Sequence, residues 1–400
     1  MKSSKQYLAG YPDIIEIIRS LKEVIISNII MIGQEPMELQ VLKDDDVGIP
    51  NKSPRAAMFS ERIGALSSVD ECTTDSDGNP VALIKGRNPG KKPIIVCAHL
   101  DTTIRDPEDS TLIITDARIK GPGIADNSVS AGMLANLPEI LELLNIHLES
   151  DLYIVGLSQS LGKKNLISAR QFLSNWNHHP RGVIIVEGVE IGRLNYYSLG
   201  MIRAEISCQI PAVTGWEHKG ETNAIIIFNE IINRIMAIEI PQRPKTRINI
   251  GRLDAGLKFG DTALTGTMGL EVVSDSFEMV ESIYGKIEDI VESLAYESQV
   301  EMQIEKQSHV GAYSLGYNHP LVKSAVSVME ELDITPKIAS SESELAVFLS
   351  RQIPTITVGL THGDNVHKEN ASIEIEPMFK GIAQIIGVIL AIDSGVCDEQ

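Results

Sequence analysis

Two rhythms of apolar residues alternate along this chain. Short continuous apolar runs occur at Ile94 to Ala98, Asp151 to Leu157, Gly182 to Val186 and Thr355 to Gly359. Runs of that length predict buried strands. Between them, apolar residues recur at helical spacing. Tyr11 to Ile32 predicts an amphipathic helix or a pair of helices, and Ser128 to Asn145 predicts another through Met133, Leu134, Leu137, Ile140, Leu141 and Leu144. A helix starts at His319-Pro, and a last one spans Pro377 to Ser394. Asp75-Ser-Asp-Gly-Asn-Pro80 is a turn signal that predicts a hairpin feeding the strand at Ile94. Leu39 to Gly78 otherwise gives no clear pattern. Strand and helix in alternation predict an α/β domain, a central mixed sheet flanked by helices.

The texture changes near Gly200. Met201 to Ile210 alternates strictly, Asn223 to Ile240 is helical, and Arg247 to Gly251 and Leu264 to Val273 are strand-like. Ser276 to Tyr296 is helical and Val300 to Ser308 alternates again. That order, β-α-β-β-α-β, is the ferredoxin-like split arrangement. It predicts a compact α+β domain, residues 201–308, inserted into an α/β domain of residues 1–200 and 309–400.

Composition narrows the partners. Of 400 residues, 43% are apolar and 22% charged, which suits a globular protein long enough for two domains. A net charge of −19 disfavours nucleic acid and anionic membrane. Cys72, Cys97, Cys208 and Cys397 show no paired spacing, so reduced thiols and a cytoplasmic setting are expected. The first residues lack an apolar core with a cleavage pattern, so no signal peptide is expected. Ile25 to Ile32 is too short to span a bilayer.

The candidate chemistry gathers between Pro93 and Asn127. The strand at Ile94 runs into His99-Leu-Asp101, and Gly121-Pro-Gly-Ile-Ala-Asp126-Asn127 follows. In open α/β sheets ligands bind at the C-terminal strand edge. A His, an Asp able to orient it and a second Asp on a tight Gly loop are the parts of a metal site.

These two motifs resemble the His-x-Asp and Gly-x-Gly-x-x-Asp of the M20 family of zinc aminopeptidases and deacylases, which includes acetylornithine deacetylase and carboxypeptidase-like enzymes. Tyr197-Ser-Leu-Gly-Met-Ile-Arg203, Asn249-Ile-Gly251 and Ile353 to Leu360 resemble further family segments. The resemblance runs from about Pro93 to the end of the chain. It implies a catalytic α/β domain interrupted by a lid domain that commonly dimerises. It also implies His99 as a ligand of a first zinc, Asp126 as the bridge between two zincs, and Asp101 as the hydrogen-bond partner of His99. Glu187, just after a strand, would be the next acidic ligand, and His367 the late ligand of the second metal. The peptide after the bridging Asp is often cis in the family, which suggests the same for Asp126–Asn127.

The sequence departs from the family where catalysis should sit. The family's Glu-Glu pair, a general base and a second-metal ligand, falls on Gln159 and Ser160, or on Ser158 and Gln159 in a slipped register. From Leu152 through Val186 there is no Asp or Glu, so no register restores the pair. Gln is no base at neutral pH, and neither Gln nor Ser is a usual zinc ligand. The family's lid His, Asn and Arg fall on Thr214, Gly260 and Val273, with His218 four residues from the first of these.

Three functions follow. The first is an M20-like amidohydrolase homologue, folded and dimeric through its lid, but impaired or inactive. The second is an active hydrolase of peptide or N-acyl amino acid amide bonds with an altered centre. There one zinc rests on His99, Asp126 and Glu187, and a base such as Glu342 or Glu344 comes from elsewhere. The third is a metal-free protein that binds a small molecule or peptide in its interdomain cleft.

Overall fold

A computed structural model describes residues 6–35, 53–102, 111–161, 166–176, 178–211, 223–341 and 343–398. The chain divides into two compact units, Met1–Tyr197 with Ser314–Gln400, and Ser198–Tyr313.

The first unit is built on an eight-stranded mixed sheet. In spatial order its strands are Glu71–Thr74, Pro80–Ile84, Leu152–Leu157, Ile94–His99, Gly182–Val189, Thr355–Thr361, Arg193–Asn195 and Lys337–Ile338. The four central strands run parallel. Every residue of Ile94–His99 and Thr355–Thr361 is buried. Parallel strands covered on both faces need side chains that tolerate burial on each, hence unbroken apolar runs rather than alternation.

Helices Val129–Leu143 and Glu376–Asp393 pack on these central strands. Val129–Leu143 packs in turn on Lys22–Gln34. That approach is close, because a Cβ on Gly132 would meet the backbone nitrogen of Ile29 at 2.6 Å.

Several sequence expectations change in detail. Tyr11 to Ile32 resolves into two helices, Ile14–Ser20 and Lys22–Gln34. The segment without a clear pattern contains helix Pro54–Gly64. The hairpin Glu71–Thr74/Pro80–Ile84 exists, its turn held by Asp75 Oδ1 accepting from the amides of Asp77 and Asn79. It borders Leu152–Leu157 rather than Ile94–His99. Glu187 lies inside its strand, not after it, because the ladder with Thr355–Thr361 continues through Glu187–Gly359 to Val189–Thr361.

The second unit is a four-stranded antiparallel sheet in the order Thr246–Ala255, Thr265–Ser274, Gly200–Gln209, Glu301–Val310. Helices Ala224–Met236 and Phe277–Ser298 complete its own core, which includes Ile202, Ile206, Phe228, Ile231, Met268 and Ile287. Strand order and connectivity are those of the ferredoxin-like split fold. Thr246–Ala255 runs further than the expected Arg247 to Gly251, and the unit spans Ser198–Tyr313. Thr246–Ala255 forms one edge of the sheet and is largely exposed.

Candidate metal centre

The parallel strands deliver the site residues to one edge. Cys97 pairs with Ile185, so two residues further on His99 and Glu187 come level on neighbouring strands. Their side chains share a face, because alternation returns the same side every second residue.

Asp126 reaches this edge on the Gly-rich turn. Gly123 is left-handed (φ 65°), a conformation that suits glycine. The Asp126–Asn127 peptide is cis. The Asn127 side chain donates through Nδ2 to the carbonyl of Val186 at 3.0 Å, tying the turn to the strand that carries Glu187. Gly188 lets the backbones meet, since a Cβ there would lie 2.3 Å from the carbonyl oxygen of Ala125.

The result is a compact donor set. His99 Nε2 lies 3.1 Å from Asp126 Oδ1 and 3.9 Å from Glu187 Oε2. One ligand atom from each of the three residues falls within 4.8 Å of the others. One imidazole nitrogen and two carboxylates in that space match the donors zinc prefers, so the residues fit a divalent cation.

On its far side, His99 Nδ1 is 2.9 Å from the carbonyl oxygen of Asp101 and 3.4 Å from its Oδ1. A proton on Nδ1 directed at these acceptors leaves the Nε2 lone pair for the site. His367, although 71% exposed, places Nδ1 3.2 Å from Asp126 Oδ2.

Charge is concentrated here. Burial disfavours protonated His99, but Asp126 and Asp101 outweigh it and raise its pKa well above the ordinary range. Burial works against ionised Asp126, yet His99 and His367 together hold its pKa below the usual value. Glu187 is pushed up to about 7, mainly by burial, with His99 opposing and the Glu344 and Asp126 carboxylates adding to the rise.

The loop after Leu152–Leu157 is occupied otherwise. Asp101 Oδ2 accepts from the backbone amides of Ser160 (2.9 Å) and Leu161 (2.6 Å). The Gln159 amide donates to Ser168 Oγ, and that of Ser158 to Asn79 Oδ1. Ser160 is itself 3% exposed. No carboxylate comes from this loop. Thr214, His218 and Glu342 lie outside the described residues. Gly260 is in the second unit with open space around it, and Val273 there is buried.

Sequence reasoning overlooked Arg55. It is fully buried, and its Nε donates to the carbonyl of Leu100 at 2.6 Å. Nη1 donates to the Ile32 carbonyl at 3.0 Å and Nη2 to Ser128 Oγ at 2.8 Å. It therefore fastens both ligand-bearing segments from behind. Burial lowers its pKa to about 10, against the pull of Asp101 and Asp126. The available signal was periodicity: Arg55 shares a helical stripe with Phe59 and Ile63, where an apolar side chain is expected.

No family model matches the sequence, and no curated protein sequence does. Solved structures do. The dipeptidase Dug1p from Saccharomyces cerevisiae superposes with a TM-score of 0.75 at 12% identity, over 98% of this chain and all of that one. A tripeptidase from Staphylococcus aureus gives 0.73 at 16% identity, over 93% and 99%. A dinuclear metal-binding M20 peptidase from Bacillus subtilis gives 0.60 at 13%, over 94% and 98%. The fold is that of the M20 peptidases. On that fold, among the described residues, this chain brings His99, Asp126 and Glu187 together, and its 158–161 loop carries no acidic residue.

Two outcomes test this description. Arg55→Met removes donors from buried carbonyls and is expected to lower stability by about 3 kcal/mol in urea unfolding, with Arg55→Lys intermediate. Glu187 has a folded pKa above its unfolded one, so its contribution to stability is full at low pH and is lost as pH rises through about 7. Glu187→Gln should therefore gain stability relative to the parent between pH 5 and 8 in the metal-free protein. An equal Tm difference at both pH values would contradict this.

Proposed function

We propose that this chain is an M20-fold homologue that holds a single divalent cation, zinc, on His99, Asp126 and Glu187, and that it is impaired or inactive as an amidohydrolase. The carrying observation is the 158–161 loop. Backbone amides of Ser160 and Leu161 face Asp101 there, and Gln159 and Ser160 offer no carboxylate. When bound, the cation would polarise a carbonyl and acidify a water. The chain's own residues do the rest of what remains. Asp101 fixes the orientation of His99, Asp126 faces both His99 and His367, and no base from the loop removes a proton. The loss of such a base lowers rate by roughly 10²–10⁴.

A second reading is an active zinc-dependent hydrolase of peptide or N-acyl amino acid amide bonds with this altered centre. In it one zinc rests on His99, Asp126 and Glu187, and a base comes from elsewhere, for instance the buried Glu344. The dipeptidase and tripeptidase of the same fold make peptides the first substrates to try.

The proposal includes a homodimer through the second unit. Edge strand Thr246–Ala255 and the exposed Ile225, Ile226 and Met236 support it. Four free thiols support a cytoplasmic setting, and no helix among the described residues is long and apolar enough to cross a membrane.

Metal content by mass spectrometry, before and after zinc dialysis, is the test. One zinc per chain is expected, lost in His99→Ala, with turnover of dipeptides and N-acyl amino acids absent or slow. Two zincs with fast turnover would refute impairment. No zinc after dialysis would leave the metal-free binding protein. Light scattering should give twice the mass of one chain, and a monomer would remove the dimer.

A further inference from the structure

Away from the metal centre, the hairpin edge of the first unit's sheet carries a mixed aromatic and acidic face. Glu71, Leu83 and Tyr153 are level on three neighbouring strands, and two residues along Thr73 pairs with Val81. Paired residues point to the same side of a sheet, and alternation returns that side every second residue. These five side chains therefore share one face. Tyr153 is the one residue of Leu152–Leu157 that is not buried. It precedes Leu157, the partner of His99, by roughly 13 Å of strand.

Helix Ile167–Asn175 and the residue after it turn this face into a cavity of about 230 Å³. Trp176 meets Tyr153 edge to face, with ring centroids 4.6 Å apart, and packs on Phe172 at 4.9 Å. The rings brace one another, so the aromatic wall is built before any ligand arrives. Val81, Leu83 and Phe172 are buried and make the rest of the apolar lining. The charged lining residues are Glu71 and Asp75, and none of the described Lys, Arg or His residues joins them. Asp75 already accepts from the backbone amides of Asp77 and Asn79 and from Asn79 Nδ2. It offers the cavity negative charge but few free lone pairs.

We propose that this cavity binds the quaternary ammonium group of a small organic cation. Aromatic faces attract a cation through the ring quadrupole, and Trp does so best. A methylated nitrogen has no N–H, so it does not need the lone pairs that the turn holds at Asp75. It needs apolar contact and negative charge nearby, and the rings and the two acids give both. A primary ammonium would give up hydrogen bonds to water that this lining replaces poorly. The volume lies below the roughly 300–1,000 Å³ of sites for drug-sized ligands, so it suits one headgroup rather than a whole cofactor. The net charge of −19 favours the approach of a cation.

Choline is the probe. The chain has two tryptophans, Trp176 and Trp216, so in a Trp216→Phe background the fluorescence reports Trp176 alone. Choline is expected to change that emission saturably, and to bind at least about 10-fold more tightly than its neutral tert-butyl isostere. Binding should be the same with EDTA present, because the metal centre is elsewhere on the sheet. By calorimetry, affinity should fall about 10–30-fold in Trp176→Leu and about 3–10-fold in Glu71→Gln. An isostere that binds as tightly as choline would overturn the proposal, leaving a merely apolar cavity. So would the absence of saturable binding, or its loss with EDTA. Unchanged affinity in Glu71→Gln would overturn it too, and that exposed position decides the matter if Trp176→Leu does not fold.

Discussion

Asp126 stands beside Glu187 because two backbones approach more closely than side chains would normally permit. The Asn127 side-chain Nδ2 donates to the Val186 carbonyl, and Gly188 leaves room for the Ala125 carbonyl against its strand. Without that seam, the Gly-rich turn would have no fixed distance from the sheet, and His99 would face one acid instead of two. Strand order then does the rest. Parallel neighbours bring His99 and Glu187 level, and burial of the strands on both faces leaves their C-terminal edge as the place where polar side chains converge.

Charge balance follows from the same seam. Asp101, Asp126 and Glu187 lie around His99, and the fold answers with His99, His367 and the buried Arg55. Arg55 makes its hydrogen bonds to neutral acceptors, so its charge is not cancelled by a direct partner. It acts on the acids through a low-dielectric interior, where such a charge is felt further than in water. Even so, Glu187 remains hard to ionise, which marks the cluster as short of positive charge.

Much of this was legible in the sequence. The four buried runs showed the central strands, since a parallel core has one hydrophobic signature. The strict alternation after Gly200 gave the split β-α-β-β-α-β unit. His99, Asp101 and Asp126 were visible as a motif, while Glu187 and His367 depended on family likeness. What stayed hidden depended on the third dimension. The two- and three-residue strands, such as Arg193–Asn195 and Lys337–Ile338, are too short to have a period. Arg55 was hidden because a lone charge in a helix reads as solvent-facing, and only packing reveals five donors turned inward. Glu344 looked like one acid in a polar run, since burial is not written in local composition.

The clasp between Asp101 and the 158–161 loop limits which side chains that loop can carry. A carboxylate on a loop is usually thought of as one substitution away. Here the main chain has closed over the place. The Ser160 and Leu161 amides are committed to Asp101, and Ser160 is itself enclosed. A Glu installed at 160 would start from a buried position next to Asp101, against like charge. A two-carboxylate loop here would therefore need the loop's path to change together with its residues.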